Sequence, residues 1–414
     1  MSAPGLRRFL KRVRAEVIDS PTLFARRQER EAAHFARLTA SLKPAGGRHL
    51  VLAPSDRGNV GDQAMLEAIF ENVCGPITVI EWNPGDVKVP TTFADEVSTV
   101  SVPRLTASGL TRPQAALEAF AALLHDAASF SVVGADVLDG AYSYTRSVRR
   151  ASLATYAARA GVPARILGFS WNENPDPRAL EAIRQASAAG VRLFARDPVS
   201  ARRLRAAVPG IVEEAADLVF SARSCDEGAL IRVCPGLSGP YVVLNANGII
   251  GQTFDQAPDY ARLVRWLLER GMSVVLVPHD DRPRVDDVEE ARRVRKLVEG
   301  PVWLVDRLLA PEEIRGLVSG AACVVTGRMH LSIMSLWSGV PAVTLDRQGK
   351  VEGLMEIFGL RELLVTPRPG LADAAIGAVR GVLADQEGYR ARVAAGLARA
   401  KELSLRNFDG LPLR

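Results

Sequence analysis

Two segments hold most of the residue types that suit chemistry on an anion or a sugar. The first reads Pro54-Ser55-Asp56-Arg57-Gly58-Asn59-Val60-Gly61-Asp62-Gln63 and leads into a helical pattern at Ala64-Met65-Leu66. Gly58 and Gly61 allow positive φ, and the N-terminus of the helix beyond them offers unpaired N–H groups, so Gly58, Asn59 and Gly61 can cradle an anion or a hydroxyl. The same residues also read as a tight strand-to-helix turn with Asp62 as the helix cap. The spacing is neither G-x-G-x-x-G nor a P-loop. The second segment is Val324-Val325-Thr326-Gly327-Arg328-Met329-His330-Leu331-Ser332-Ile333, a strand running through a turn into a helix. If the chain stays extended through Arg328-Met329-His330, both polar side chains project to one side, because the side-chain period of a strand is two. A cation and an acid–base group would then share one site. The plainer alternative is a surface arginine beside a core histidine, but His330 is one of only five histidines and stands where an α/β protein binds ligands.

A third segment, Leu193-Phe194-Ala195-Arg196-Asp197-Pro198-Val199-Ser200, again follows a strand. Asp197-Pro198 reads as a helix start. Arg196 would face a cleft, and its planar fork suits phosphate or carboxylate. Lys350, in Asp346-Arg347-Gln348-Gly349-Lys350, adds a cation to the same edge. Asp136, Asp217 and His279-Asp280-Asp281 are weaker candidates. The histidines and carboxylates fit no closed zinc set and no EF-hand loop, so no metal is expected.

These residues need a scaffold that brings strand ends together. From His49 onward, short apolar runs (Leu50–Leu52, Thr78–Ile80, Phe130–Val133, Ala164–Leu167, Val191–Phe194) alternate with longer helical patterns. A second set follows at Tyr241–Leu244, Ser273–Val277, Val302–Val305, Cys323–Val325 and Ala342–Leu345. Such alternation predicts parallel sheets with helices on both faces. The expected architecture is an α/β fold of two Rossmann-like, doubly wound domains facing a cleft. The boundaries are a helical extension at 1–46, a first domain at 47–228, a second at 238–385, and a C-terminal helix and tail at 386–414. Cys225 to Pro240 reads as a linker. Ligands of such sheets bind at the carboxyl ends of the strands, which makes the cleft the expected site.

Composition narrows the function classes. The chain has 414 residues, 48% hydrophobic and 24% charged, an ordinary globular balance. The net charge of +5 equals the five basic residues of the first 14 positions, Arg7, Arg8, Lys11, Arg12 and Arg14, so the body carries no net charge. With only 6% aromatic residues and no basic stripe, nucleic acid is not expected as a partner. Leu6, Phe9, Leu10, Val13 and Val17 recur at helical spacing among those basic residues. They form either a helix docked on the body or a peripheral membrane contact. Four scattered cysteines imply no disulfide framework, and no apolar run reaches about 18 residues, so a cytoplasmic protein, able to work at the inner face of the membrane, is expected.

Gly58-Asn59-Val60-Gly61-Asp62, Arg196-Asp197 with Ser200, and Gly327-Arg328-Met329-His330 with Gly339-Val340-Pro341 and Lys350 occur in an order that resembles the polysaccharide pyruvyl transferase family over roughly residues 48–360. The resemblance implies a fold like that of GT-B glycosyltransferases. It also implies transfer of a pyruvyl group from phosphoenolpyruvate to two hydroxyls of a sugar in a cell-surface or exopolysaccharide precursor, with release of phosphate. Phosphoenolpyruvate is then a donor substrate and no cofactor is implied; the acceptor is a sugar or lipid-linked glycan. By the same resemblance, Arg196 and Arg328 hold phosphate and carboxylate, and His330 is the general acid. Asp62 is the better candidate for the base, ahead of Asp136. Where the family has a run of glycines after a strand, this chain has Gly134-Ala135-Asp136-Val137, a bulkier acidic turn on the expected acceptor side. Two other readings share the architecture: a nucleotide-sugar glycosyltransferase with Arg328 and Lys350 on a diphosphate, and a non-catalytic binding protein.

Overall fold

A computed structural model describes residues 20–414 apart from 45, 55–56, 108–111 and 347–348. The amphipathic pattern at Leu6–Val17 lies outside the described residues. The first sheet has seven strands: β1 (Arg48–Leu52), β2 (Ile77–Glu81), β3 (Val97–Ser101), β4 (Ala127–Ala135), β5 (Ala164–Phe169), β6 (Arg192–Ala195) and β7 (Val212–Glu214), in the order β3-β2-β1-β4-β5-β6-β7. The second has six: β8 (Tyr241–Asn245), β9 (Ser273–Leu276), β10 (Val302–Leu304), β11 (Cys323–Thr326), β12 (Ala342–Leu345) and β13 (Leu364–Val365), in the order β10-β9-β8-β11-β12-β13. All pairings are parallel. In both sheets the chain begins near the middle, winds outward and then crosses to the other half, which opens a crevice where the direction reverses, beyond β1 and β4 and beyond β8 and β11. The motif loops follow β1, β4 and β11.

The ten apolar runs all form strands. Beyond them lie β3, β7 and β13, all at sheet edges. Edge strands need bury only one side, and Val97-Ser98-Thr99 accordingly buries its valine and exposes the next two residues, leaving no apolar run to read.

Packing also redraws the ends of the domains. The helix Pro21–Leu38 reads as polar, yet its Phe35 is 2% exposed and stacks on Tyr156 with ring centroids 5.0 Å apart. The first domain's core therefore starts well before the glycines at 46–47. Between the sheets, Ala229–Val233 forms a short helix against the helix Pro311–Ser319, and Asp226 N–H donates to the Glu312 carbonyl. The helix Gln386–Leu405 starts on the second domain, where Gly396 lies against Phe358, and returns the chain to the first. There Ser404 Oγ donates to the Asp217 carbonyl, and the Asn407 side chain bonds the Gly168 N–H and the Ala216 carbonyl. A single apolar core runs from Val51, Met65 and Phe70 through Phe408 into Leu331 and Val343 of the second domain. No helix among the described residues is long and apolar enough to cross a membrane.

Candidate active site

The loop after β1 is shaped by its side chains and by the second domain. Asn59 caps the helix Val60–Asn72: its Oδ1 accepts from Gly61 N at 2.8 Å and Asp62 N at 3.3 Å. The cap is thus Asn59, three residues before Asp62, which sits in the first turn where a carboxylate suits the positive end of the helix. Gly58 has φ +100°, and a Cβ there would lie 2.5 Å from Asp281 Oδ1. Gly58 carbonyl accepts from Asp281 N, and Val60 N donates to the His279 carbonyl at 3.1 Å. Asn59 Nδ2 reaches Asp280 Oδ2 at 3.3 Å. The loop is therefore clasped by His279-Asp280-Asp281, and the two domains meet with the cleft closed around it.

The turn after β11 corrects the expectation of an extended Arg-x-His. The strand ends at Thr326, Arg328 is the extended residue before a helix, and Met329–Trp337 is helical. Arg328 and His330 therefore diverge in environment. Arg328 is 6% exposed; its Nε and Nη2 bond the Asp287 carboxylate, Nη1 bonds Asp280 Oδ2 at 3.0 Å, and Nη2 also donates to the Val285 carbonyl. This guanidinium holds two fully buried carboxylates in place, and little of it remains for a ligand's phosphate. His330 instead leans across the cleft onto the first domain. A Cβ on Gly61 would lie 2.2 Å from its Nδ1, so glycine at 61 is required by this close approach and not by backbone conformation.

On its other edge, His330 Nε2 stands 3.5 Å from Asp217 Oδ2, an ion-pair distance without a hydrogen bond. Arg196, after β6, donates from Nη1 to the same oxygen at 3.0 Å and from Nε to Ser170 Oγ at 2.7 Å. Burial alone would raise the Asp217 carboxyl, but His330, Arg196 and the Val219 N–H outweigh it and hold the group at about 2. Asp197 caps the next helix through Ser200 N and also takes the Ser200 hydroxyl, so it is structural.

Lys350 Nζ donates to the Asp136 carbonyl at 3.0 Å and lies 3.5 Å from Asp139 Oδ2 and 3.7 Å from Asp136 Oδ2. Asp136 also accepts from Tyr142 Oη at 2.8 Å. Burial would raise its pKa, yet Lys350, Arg196, the tyrosine bond and His330 together hold it below the ordinary carboxylate value. Ala135, at the departure from glycine, has φ +47°, a left-handed conformation that disfavours a Cβ. The acidic turn thus keeps a glycine-like backbone and gains an anchored carboxylate.

A cavity of about 130 Å³ lies among these groups, with Asn59, Asp62, Asp136 and Arg196 on the first-domain side and Arg328, His330 and Lys350 on the other. Gly58 lines a neighbouring cavity, and Gly61 backs His330. His279 and Asn247 complete the walls. His279 is 1% exposed, and burial, then His330 and Arg328, push its pKa well below the ordinary histidine value, so the ring is neutral. Its place directly after β9 was the available signal in the sequence. Asn247 and Asp287 gave none, since an asparagine or aspartate at a helix start reads only as a cap. Two features of the cavity call for a ligand. His330 Nε2 and His279 Nε2 are both buried without a hydrogen-bond partner. The helix Met329–Trp337 has no side-chain cap, and its first residues, Met329 and His330, line the cavity.

A family model described as polysaccharide pyruvyl transferase matches residues 59–349. A comparison with curated proteins finds no match. Among solved structures, the chain is similar to the UDP-GlcNAc 2-epimerase from Neisseria meningitidis bound to UDP-GlcNAc, at 12% identity and TM-score 0.53, covering 87% of this chain and 99% of that one. It is likewise similar to the UDP-GlcNAc 2-epimerase from Methanocaldococcus jannaschii, at 12% identity and TM-score 0.53, covering 86% and 99%. Sucrose-phosphate synthase from Thermosynechococcus elongatus matches at 15% identity and TM-score 0.51, covering 86% and 94%. At such identities the likeness shows the fold alone: two Rossmann-like domains in the GT-B arrangement.

Proposed function

The chain belongs to the polysaccharide pyruvyl transferase family, and from that premise we propose that the cavity between the domains binds phosphoenolpyruvate and transfers its pyruvyl group to two hydroxyls of a sugar. The observation that carries this reading is the pair of orphaned imidazole nitrogens beside an uncapped helix N-terminus, all in one cavity between the domains. An anion with further acceptor oxygens satisfies all of them together.

In this reading the phosphate lies on the N–H groups of Met329 and His330, with Lys350 opposite and neutral His279 donating at its edge. Arg196 supplies charge from behind Asp217, and Arg328 keeps the floor rigid. Phosphoenolpyruvate is an enol phosphate, so addition of a hydroxyl at C2 requires a proton at C3. His330 donates that proton from Nε2, forming the methyl group, while Asp62 takes the proton of the attacking hydroxyl. The second hydroxyl then forms the other C2–O bond as the C2–O bond to phosphate breaks, and its proton leaves with the phosphate. Asp217, ionised at any physiological pH, lies 3.5 Å from the nitrogen that donates the proton. The helix N-terminus and Lys350 stabilise the departing phosphate. No resident cofactor enters the scheme.

Lys350→Ala tests the placement of the anion. Removing one charge-assisted bond to the phosphate should weaken phosphoenolpyruvate binding by about 1.5–3 kcal/mol, roughly tenfold to 150-fold, in calorimetric titration. Unchanged affinity would move the phosphate away from Lys350.

A further inference from the structure

The helix Gln386–Leu405 belongs to neither domain alone. It packs against Met329–Trp337, the helix that carries His330, and its Arg390 donates to the carbonyls of Ala321 and Gly339 in the second domain. Its 20 residues span about 30 Å, which carries its far end onto the first domain. There it meets the buried residues 215–221, which follow β7. That strand is three residues long and lies at the sheet edge, so no further strand pairs with the chain beyond it. Buried carbonyls still need partners, and two of them find theirs here. Asp217 carbonyl accepts from Ser404 Oγ at 2.7 Å, and Ala216 carbonyl from Asn407 Nδ2 at 2.9 Å.

Asn407 ties a second element to the same place. Its Oδ1 accepts from Gly168 N at 2.9 Å, where β5 shifts register against β6 between Ile166 and Phe169 and Gly168 has φ +48°. Two residues on, Ser170 Oγ accepts from Arg196 Nε. The remaining amide N–H of Asn407 goes to the Ser404 carbonyl, and both side chains are fully buried. Asp217 itself is left with one oxygen on Val219 N and the other, Oδ2, facing Arg196 and His330.

We infer that Ser404 and Asn407 are positioning residues of the active site, which fix the main chain at Ala216 and Asp217 and so set Asp217 against His330. The inference rests on the reading of His330 as the acid. Neither residue lines the cavity. His330 comes from the second domain and Asp217 from the first, so the 3.5 Å between them depends on how the two domains stand. One helix touches the helix of the first group and the main chain of the second, and thereby holds that distance. Without the Ser404 hydroxyl the buried Asp217 carbonyl loses its shortest bond, and the segment must shift to satisfy it.

The test uses the full-length protein labelled with 15N at histidine. With only five histidines, the ring signals of His330 are identified by their loss in His330→Ala. Ser404→Ala removes one hydroxyl and leaves the packing, and Asn407→Asp keeps the size and the acceptor but loses both donors. The expected result is that the His330 ring signals move in both variants, as they do in Asp217→Asn, while those of His34 and His125 stay. Turnover of phosphoenolpyruvate should fall about tenfold to 100-fold with KM nearly unchanged, the pattern of a misplaced group. In the Asp217→Asn background, Ser404→Ala should cost no further turnover. Unmoved His330 signals in the folded Ser404→Ala protein would overturn the inference, and so would a loss that adds in full to that of Asp217→Asn. If the wild type turns over no phosphoenolpyruvate, the donor reading fails, and the ring signals alone decide whether Ser404 and Asn407 hold the pair.

Discussion

His330→Ala should lower turnover by about 10²- to 10⁴-fold, the usual contribution of a positioned acid, while phosphoenolpyruvate binding changes by only a few fold. The separation follows from the geometry. In the proposed mechanism the imidazole protonates C3, whereas the anion rests on backbone N–H groups and on Lys350, which the substitution leaves in place. Single-turnover kinetics beside calorimetry would show it, and equal loss of binding and turnover would remove His330 from the role of acid. Gly61→Ala should reproduce much of the kinetic effect without touching any ionisable group. The new methyl would stand 2.2 Å from Nδ1 and 2.3 Å from Cγ of His330, so the ring must move off its position between Gly61 and Asp217.

Arg328→Ala should instead act on stability. Asp280 and Asp287 are each fully buried, and Arg328 carries bonds to both. Removing one partner of a buried ion pair leaves uncompensated charge and typically destabilises by about 3–5 kcal/mol. Asp280 keeps Arg282 as a second partner, but no other side-chain cation bonds Asp287 among the described residues, so the loss should centre there. Asp287 also accepts from Asn245, Gly248 N and His279 N, and its displacement would loosen the second domain at the ends of β8 and β9. Thermal unfolding should show a fall of several degrees at the least, at about 2–4 °C per kcal/mol for a domain of this size. A variant with unchanged melting temperature and abolished phosphoenolpyruvate binding would restore Arg328 to the ligand-binding role that its sequence context suggested.

The contrast between Arg328 and His330 shows where sequence reading reaches its limit. The strand-helix alternation disclosed both sheets because central parallel strands are buried on both faces and so appear as unbroken apolar runs. The motif loops could be found for the same reason: they stand directly after such runs. What an arginine in one of those loops bonds depends on residues far away in the chain. Asp280 and Asp287 lie 48 and 41 residues from Arg328, and no local pattern links them. Gly61 presents the same problem in another form. A glycine in a turn suggests positive φ, whereas its purpose here is to admit a histidine 269 residues away, as the separation of positions 61 and 330 gives. Phe35 was hidden by the polar residues around it, and its burial depends on Phe120 and Tyr156 coming to meet it.

The central claim is that the cavity between the domains is a phosphoenolpyruvate site. Its most direct measurement is the melting temperature of the wild-type protein with phosphoenolpyruvate, pyruvate, inorganic phosphate and a series of nucleotide sugars, since a ligand that binds only the folded state raises it by mass action. The account predicts a concentration-dependent rise with phosphoenolpyruvate, a smaller one with phosphate, and none with nucleotide sugars. A rise with nucleotide sugars alone would contradict it and favour a glycosyltransferase on the same fold.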